Sequence, residues 1–296
     1  MKKVFVQIPC LNEAATIESV INGIPKRIDG VDLQILIIDD GCTDDTVKIA
    51  KGLGVKHFVV HKKWMGLAHA FQDGINYSLE HGADIVVNTD GDNQYPQDRI
   101  PDLIKPILDG EADIVIGDRQ TQEIAHFSPF KKLMQRFGSW VVNKASGTDI
   151  TDAVSGFRAY SKDALLKINV VTQFTYTTET IVQAGNKRIP TTSIVIETNK
   201  KTRESRLFKN IWQHMYKSAN AIIRSFIMYR PYTLFVSLSM MLGVAGLIPF
   251  VRYLVLTIAD DSGNHLQSLL LGAVLLTGSF LALALGVLAD LIRINR

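Results

Sequence analysis

Asp84-Ile85-Val86-Val87-Asn88-Thr89-Asp90-Gly91-Asp92-Asn93-Gln94-Tyr95-Pro96 is the stretch on which the reading of this chain turns. A short apolar run passes into two carboxylates separated by one glycine. The run suits a buried strand over Asp84–Asn88, and the break suits a turn at its carboxyl end. Mg2+ or Mn2+ takes few protein oxygens and completes its shell with water and phosphate oxygens, so Asp90 and Asp92 form a candidate metal–diphosphate turn. A lone D-x-D is common in loops; its place after a buried strand gives this one weight.

Similar runs lie at Val4–Ile8, Gln34–Asp39, His57–His61 and Asp113–Gly117. They alternate with helical periodicity over Ala14–Ile24, Asp44–Gly52, Leu67–His81 and Arg99–Leu108. The alternation predicts an open α/β fold with a mostly parallel sheet, whose ligands bind beyond the carboxyl ends of the strands. After the first run comes Pro9-Cys10-Leu11-Asn12-Glu13, and the missing G-x-G-x-x-G argues against a nicotinamide or flavin enzyme. After the second comes Asp39-Asp40-Gly41-Cys42-Thr43-Asp44-Asp45. Thr43, Asp44 and Asp45 read as a helix cap with first-turn acids, which leaves Asp39 and Asp40 to accept hydrogen bonds from a base or ribose. His57, His61, His69 and His81 have no metal-ligand spacing with cysteine, and neither G-x-S-x-G nor a Walker A lysine motif occurs.

The 296 residues hold 32 Lys and Arg against 29 Asp and Glu and are 47% hydrophobic, which excludes a disordered chain and allows one large domain plus an appendage. The two cysteines, Cys10 and Cys42, build no disulfide framework and read as small fillers in a reducing compartment. Residues 206–296 carry eight basic and three acidic side chains, whereas residues 1–205 carry 24 and 26. Met1-Lys2-Lys3 leads straight into Val4–Ile8, so no secretory leader is expected.

Tyr232–Val251 runs 20 residues without a charge and Leu269–Ala289 another 21, each near the ~20 that cross a bilayer core as helix. Neither has the polar face of a globular helix. Two transmembrane helices are expected, over about 232–256 and 266–290, joined through Asp260–His265. Lys209, Lys217, Arg224 and Arg230 precede the pair and Arg293 and Arg296 follow it, while Arg252 alone lies near the connecting loop. The positive-inside rule then puts both termini and the large domain on the cytoplasmic side of the membrane. Gly278, Ala282 and Gly286 share one helix face and leave two readings open, a homo-oligomer contact or lipid-facing composition. Leu207, Ile211, Met215, Ala219, Ile222, Phe226 and Ile227 predict an amphipathic surface helix over 206–230. Residues 200–230, with eight basic residues and one acid, are expected to attract anionic headgroups or a lipid phosphate.

The turns Pro9–Glu13, Asp39–Asp44 and Asp90–Gln94, with Gly117-Asp118-Arg119 and Ser155-Gly156-Phe157-Arg158, occur in this order. Together they resemble family 2 glycosyltransferases of the GT-A fold, specifically the polyprenyl-phosphate, dolichol-phosphate mannose synthase-like branch. The resemblance covers roughly residues 1–210, and the two C-terminal spans match a membrane-anchored subgroup. It implies a Rossmann-like GT-A catalytic domain over 1–205, the juxtamembrane helix over 206–230 and the transmembrane pair within 231–296. In that family the first turn and the second-strand acids hold the nucleotide, which implies Pro9, Glu13, Asp39 and Asp40, with Asp90 beside them; Glu13 reads equally as an ordinary first-turn acid. The D-x-D-x-Q element implies Asp90, Asp92 and Gln94 as holders of Mg2+ or Mn2+ and diphosphate, Asp92 foremost.

The acceptor in this branch is a lipid monophosphate whose oxygen attacks the anomeric carbon from the opposite face and inverts it. Such an oxygen is anionic near neutral pH, so it needs a cationic cradle and a stabilised leaving group more than a strong general base. The resemblance implies Arg119, Arg158, Arg203 and Arg206 for that work, with Ser205, Lys200 and Lys201 nearby. Arg203 and Arg206 read alternatively as surface charges of the membrane stripe. Asp152 matches a position often considered the active-site carboxylate, and either orients the acceptor or pairs with Arg158. Glu179, in Tyr176-Thr177-Thr178-Glu179, falls where the family often has an acid near the acceptor, or simply starts a helix. The chain departs from the family where Trp64-Met65-Gly66-Leu67-Ala68 replaces the usual Asn-x-Gly-x-Gly. Trp64 either shapes a sugar pocket or packs, while Gly66, Ala70 and Gly74 keep a small face for packing on the sheet.

The implied reaction moves one sugar from a UDP- or GDP-sugar, with a lean to UDP-glucose or UDP-N-acetylglucosamine, onto polyprenyl phosphate in a β linkage. The partners are nucleotide sugar, lipid and membrane, with no nucleic acid. One rival keeps the fold and takes a glycan or diacylglycerol hydroxyl, which calls for a well-placed general base. Another is a catalytically silent membrane-anchored binding subunit, against which Asp40, Asp90, Asp92 and Gln94 speak.

Overall fold

The computed structural model describes residues 1–120, 129–170, 176–199, 231–258 and 266–294. Two compact units divide the chain, Met1–Ile222 and Ile223–Arg296. The expected surface helix over 206–230, the basic residues from Lys200 to Arg206 and the Asp260–His265 loop lie outside the described residues.

In the first unit seven strands form one sheet: β1 (Lys2–Cys10), β2 (Val31–Asp39), β3 (His57–Val60), β4 (Ile85–Asn88), β5 (Ile114–Asp118), β6 (Arg158–Ser161) and β7 (Thr191–Val195). Their order is β3-β2-β1-β4-β6-β5-β7. β1 pairs in parallel with β2 and β4, β2 with β3, and β5 with β7, while β6 runs antiparallel to both of its neighbours. The five strands read from the sequence are all present. From β1 the chain moves to one side for β2 and β3, then crosses to the other side for β4. The carboxyl ends of β1 and β4 therefore flank the topological switch point, where such sheets open a crevice.

Alternation along β1 explains how both faces of the sheet are covered. Val4, Val6 and Ile8 join one core cluster with Ile17, Val20 and Ile21 of α1 (Ile17–Gly23) and Ile100, Leu103 and Ile104 of α4 (Ile100–Leu108). On the other face Gln7 meets α3 (Leu67–Glu80), which follows α2 (Thr46–Gly52). A Cβ at Gly74 would sit 2.4 Å from Gln7 Oε1 and 3.0 Å from Ile38 Cδ1, so glycine sets how closely α3 lies on the sheet. The unit also contains α5 (Pro129–Ser146), α6 (Lys162–Lys167) and α7 (Tyr176–Asn186).

The second unit is an antiparallel pair, α8 (Pro231–Ile258) and α9 (Leu266–Ile294). Their 28 and 29 residues give lengths of about 40 Å, beyond the ~30 Å of a bilayer core. Both are long and apolar enough to cross a membrane. Met240, Val274 and Phe280 are 72%, 68% and 70% exposed, the reverse of a core helix in a soluble domain. The Gly278–Ala282–Gly286 face is used inside the pair: Ala282 is buried, and a Cβ at Gly286 would lie 2.8 Å from Phe235 Cβ. Ser279 Oγ adds a hydrogen bond to the Ser239 carbonyl at 2.7 Å. These small residues allow close packing against the partner helix of the same chain, which corrects the lipid-facing reading.

Candidate active site

The turns after β1 and β2 are tied into one surface. The Gln7 carbonyl accepts from Thr89 N at 3.1 Å. Two residues on, Pro9 faces the same side with no N–H to extend the ladder, so β1–β4 pairing ends at Gln7–Asn88 and the strands part. Asp40 N donates to the Cys10 carbonyl at 3.0 Å, Thr43 N to Asn12 Oδ1 at 2.7 Å, Ala14 N to Asp44 Oδ2 at 3.1 Å and Glu13 N to Thr46 Oγ1 at 2.8 Å. Thr43 and Asp44 thus bridge the two turns. The capping position of α2 belongs to Asp45, whose side chain makes no cap bond. This corrects the simple cap read from the sequence.

Asp40 spends both carboxylate oxygens on protein, and Asp39 one of its two. Asp39 Oδ1 accepts from Gly41 N at 3.1 Å and Cys42 N at 2.6 Å. Asp40 Oδ1 accepts from Met65 N at 2.7 Å and faces His61 Nδ1 at 2.8 Å, and its Oδ2 accepts from Gly66 N at 2.9 Å. The far ring nitrogen of His61 lies 3.1 Å from Asp73 Oδ2. Asp40 therefore fastens the 61–66 loop, from which Trp64 projects 68% exposed rather than packed.

The turn after β4 is built differently. Thr16 Oγ1 donates to the Gly91 carbonyl at 2.7 Å, and a Cβ on Gly91 would lie 3.0 Å from Glu13 Cγ, so the first turn backs directly onto it. Asp92 Oδ1 accepts from Gln94 N at 3.1 Å and Oδ2 from Gln94 Nε2 at 2.6 Å. Gln94, implied as a ligand, thus aims its amide at Asp92 and sets that carboxylate's orientation. No group among the described residues donates a hydrogen bond to the Asp90 carboxylate. Its pKa is pushed up to about 7, first by burial and then by Asp92 and Glu13, against the opposing pull of Arg119.

A divalent cation would reverse that push, and a carboxylate with no hydrogen-bond donor among the described residues, beside a second carboxylate, is a donor set that fits it. Among the described residues no cluster of three or more His, Cys, Asp or Glu side chains forms a ready cage. Mg2+ or Mn2+ needs few protein oxygens where water and phosphate oxygens complete the shell.

Gly156 forms the floor under Asp90, and a Cβ there would lie 3.3 Å from both Asp90 oxygens. Its peptide is gripped on both sides. Gly156 N donates to Tyr95 Oη at 2.8 Å, and its carbonyl accepts from Asn88 Nδ2 at 3.0 Å and Tyr176 Oη at 3.2 Å. Asn88 Nδ2 also reaches Tyr176 Oη at 2.7 Å, and its Oδ1 accepts from Gln7 Nε2 at 3.0 Å. Burial pushes the Tyr95 hydroxyl up to about 12, so it stays a neutral partner. Sequence reading missed Asn88, Tyr95 and Tyr176, whose partners stand 20 to 88 positions away.

The two arginines of the described motifs part company. Arg119 grips Asp152 with two prongs, Nε to Oδ2 at 2.7 Å and Nη2 to Oδ1 at 2.9 Å, and its backbone N–H adds a third bond at 3.2 Å. Burial opposes the charge of Arg119, yet Tyr95, Asp152 and Asp90 hold its pKa above the ordinary value. Burial also works against Asp152, but Arg119 holds that carboxyl below its usual range. Arg158 is fully buried. Its Nε donates to the Ser155 carbonyl at 2.7 Å, Nη2 to the Ala153 carbonyl at 2.9 Å, and Nη1 to the Thr177 carbonyl at 2.7 Å and Thr180 Oγ1 at 2.9 Å. It ties α7 to the 153–155 turn with four hydrogen bonds that all end on protein, and the ion pair of Asp152 is made with Arg119, Arg158 adding only a weaker electrostatic pull. Glu179 is buried in the first turn of α7. Arg203, Ser205 and Arg206 lie outside the described residues.

A mostly parallel sheet with an acidic turn at its switch point is the GT-A class of fold. Residues 5–168 match Glycosyl transferase family 2, and the chain belongs to that family. A UDP-N-acetylglucosamine--dolichyl-phosphate N-acetylglucosaminyltransferase of Methanococcus voltae is 31% identical over 182 residues, covering 55% of this chain and 71% of the relative. A dolichol-phosphate mannosyltransferase of Pyrococcus furiosus is 32% identical over 171 residues, covering 55% of this chain and 47% of the relative, so the likeness spans about half of that protein. The crystal structure of glucosyl-3-phosphoglycerate synthase from Mycobacterium tuberculosis with Mn2+, UDP-glucose and phosphoglyceric acid superposes with a TM-score of 0.58 at 22% identity. It covers 76% of this chain and 79% of that one, a likeness of fold.

Proposed function

We propose that this family 2 glycosyltransferase is anchored in a membrane by α8 and α9 and inverts the sugar it moves from a nucleotide donor to polyprenyl phosphate. The observation that carries the reading is the Asp90 carboxylate beside Asp92 at the switch point, to which no described residue donates a hydrogen bond. Relatives named for dolichyl-phosphate acceptors support the lipid phosphate. One is named for N-acetylglucosamine and the other for mannose, so the lean to UDP-glucose or UDP-N-acetylglucosamine rests on the Trp64 departure. The basic flanks of the two helices support a cytoplasmic catalytic domain over 1–205 and cytoplasmic termini.

In this reading Pro9, Glu13, Asp39 and Asp40 shape the nucleotide end of the crevice, Asp40 chiefly by holding the 61–66 loop. Asp90 and Asp92 hold Mg2+ or Mn2+, with Gln94 orienting Asp92. The bound cation supplies charge stabilisation for the leaving diphosphate. Arg119 lends positive charge beside the same turn while Asp152 fixes its guanidinium plane. Both Asp152 oxygens are occupied by Arg119, so Asp152 is a poor general base. A phosphate acceptor needs none, which favours it over a hydroxyl. Arg203 and Arg206, with Ser205, complete the acceptor side.

Full-length protein in detergent, incubated with dolichyl or undecaprenyl phosphate, Mg2+ or Mn2+ and a panel of UDP- and GDP-sugars, tests the proposal. Lipid-linked sugar from one donor, lost with EDTA, is expected. Nucleotide release with only a hydroxyl acceptor would overturn the choice of acceptor.

A further inference from the structure

We propose that Asn199 is a positioning residue that sets the backbone of the Asp90–Tyr95 turn from outside it. The inference rests on the reading of that turn as the metal–diphosphate site. Chain leaving β7 is first pinned at Ile196, whose N–H donates to the Asp118 carbonyl at 2.9 Å and whose side chain is buried against Gly117. Three residues later, Asn199 closes on three consecutive carbonyls of the acidic turn. Its backbone N–H donates to Gln94 O at 2.9 Å, and its Nδ2 donates to Asn93 O and Tyr95 O, each at 3.1 Å.

Two features show what these bonds do. Asn93 has φ +59°, a left-handed conformation that a non-glycine residue keeps only when its surroundings hold it. The Asn199 side chain, bonded to the carbonyls of Asn93 and Tyr95, is such a hold. The residue is exposed, so these neutral hydrogen bonds contribute little to global stability. Their effect is local: fixing the carbonyls of residues 93 to 95 fixes Gln94, and Gln94 orients Asp92 through two bonds. The same residue is the last before the basic segment that starts at Lys200. The turn that binds the donor and the chain that leads to the implied acceptor arginines thus share one anchor.

Asn199→Ala removes the two side-chain bonds and keeps the backbone one. Asn199→Asp sets an acceptor-only carboxylate against two carbonyls and is the harsher change at equal size. In full-length protein in detergent, Mn2+-dependent binding of UDP and of GDP is measured with melting temperature and, in turnover, KM for polyprenyl phosphate. For the nucleotide that wild type binds, a weakening of about fivefold is expected in Asn199→Ala and more in Asn199→Asp. The melting temperature is expected to stay within about 2 °C. Unchanged binding and KM in both variants, or losses that merely track a falling melting temperature, would overturn the inference alone. Wild-type protein that binds neither nucleotide with Mn2+ would overturn the reading of the turn and this inference with it.

Discussion

The turns after β2 and β4 carry the same kind of signal, paired carboxylates at the end of a buried parallel strand, and the structure uses them in opposite ways. Asp39 and Asp40 receive hydrogen bonds from four backbone N–H groups, and Asp40 also faces His61. Asp90 receives none among the described residues, and Asp92 is aimed by Gln94. A carboxylate whose two oxygens are both met by the protein, as in Asp40, shapes a loop. One to which no described residue donates, with a pKa pushed up to about 7 chiefly by burial, is the one proposed above to take a cation.

That contrast can be broken by substitution. Asp92→Ala is expected to lower sugar transfer by on the order of 10²–10³-fold while circular dichroism and membrane insertion stay as in wild type. Normal turnover in the folded variant would remove Asp92 from the metal site. Arg119→Lys keeps the charge and loses the two-pronged grip on Asp152, so kcat is expected to fall on the order of tenfold to hundredfold. Asp40→Asn should show the other signature. Weakening the buried contact to His61 and the 61–66 loop is expected to lower the melting temperature by about 5–10 °C, with metal binding retained.

The smallest effect concerns acid stability. Arg119 holds Asp152 below its ordinary range, although burial alone would push it up. The pair's contribution is therefore complete above the unfolded value near about pH 4 and fades as pH falls through the lowered folded value. The gap in melting temperature between wild type and Asp152→Asn should narrow on acidification below about pH 4, and a gap that widens would contradict the pairing.

Position of the acidic turns was legible in the sequence because buried parallel strands are continuous apolar runs, and the motif residues follow their ends. Their division of labour was not. Asp40 and Asp90 differ only in what comes back to meet them, and the donors to Asp40 come from a loop some 25 positions away. β6 escaped notice because four residues with an arginine at their head offer no apolar run. Its arginine, Arg158, which the resemblance implied for the acceptor phosphate, is here buried by carbonyls of the 153–155 turn and α7. β7 escaped because Thr191–Val195 is a partly buried edge. Asn88, Tyr95, Tyr176 and Asn199 act through partners distant in sequence, and no local pattern marks them.

The most direct test is electron paramagnetic resonance of Mn2+ with full-length protein and UDP or GDP, comparing wild type, Asp90→Asn and Asp40→Asn. Bound Mn2+ is expected in wild type and in Asp40→Asn and lost in Asp90→Asn. Binding that survives in Asp90→Asn and disappears in Asp40→Asn would contradict the division between the two turns.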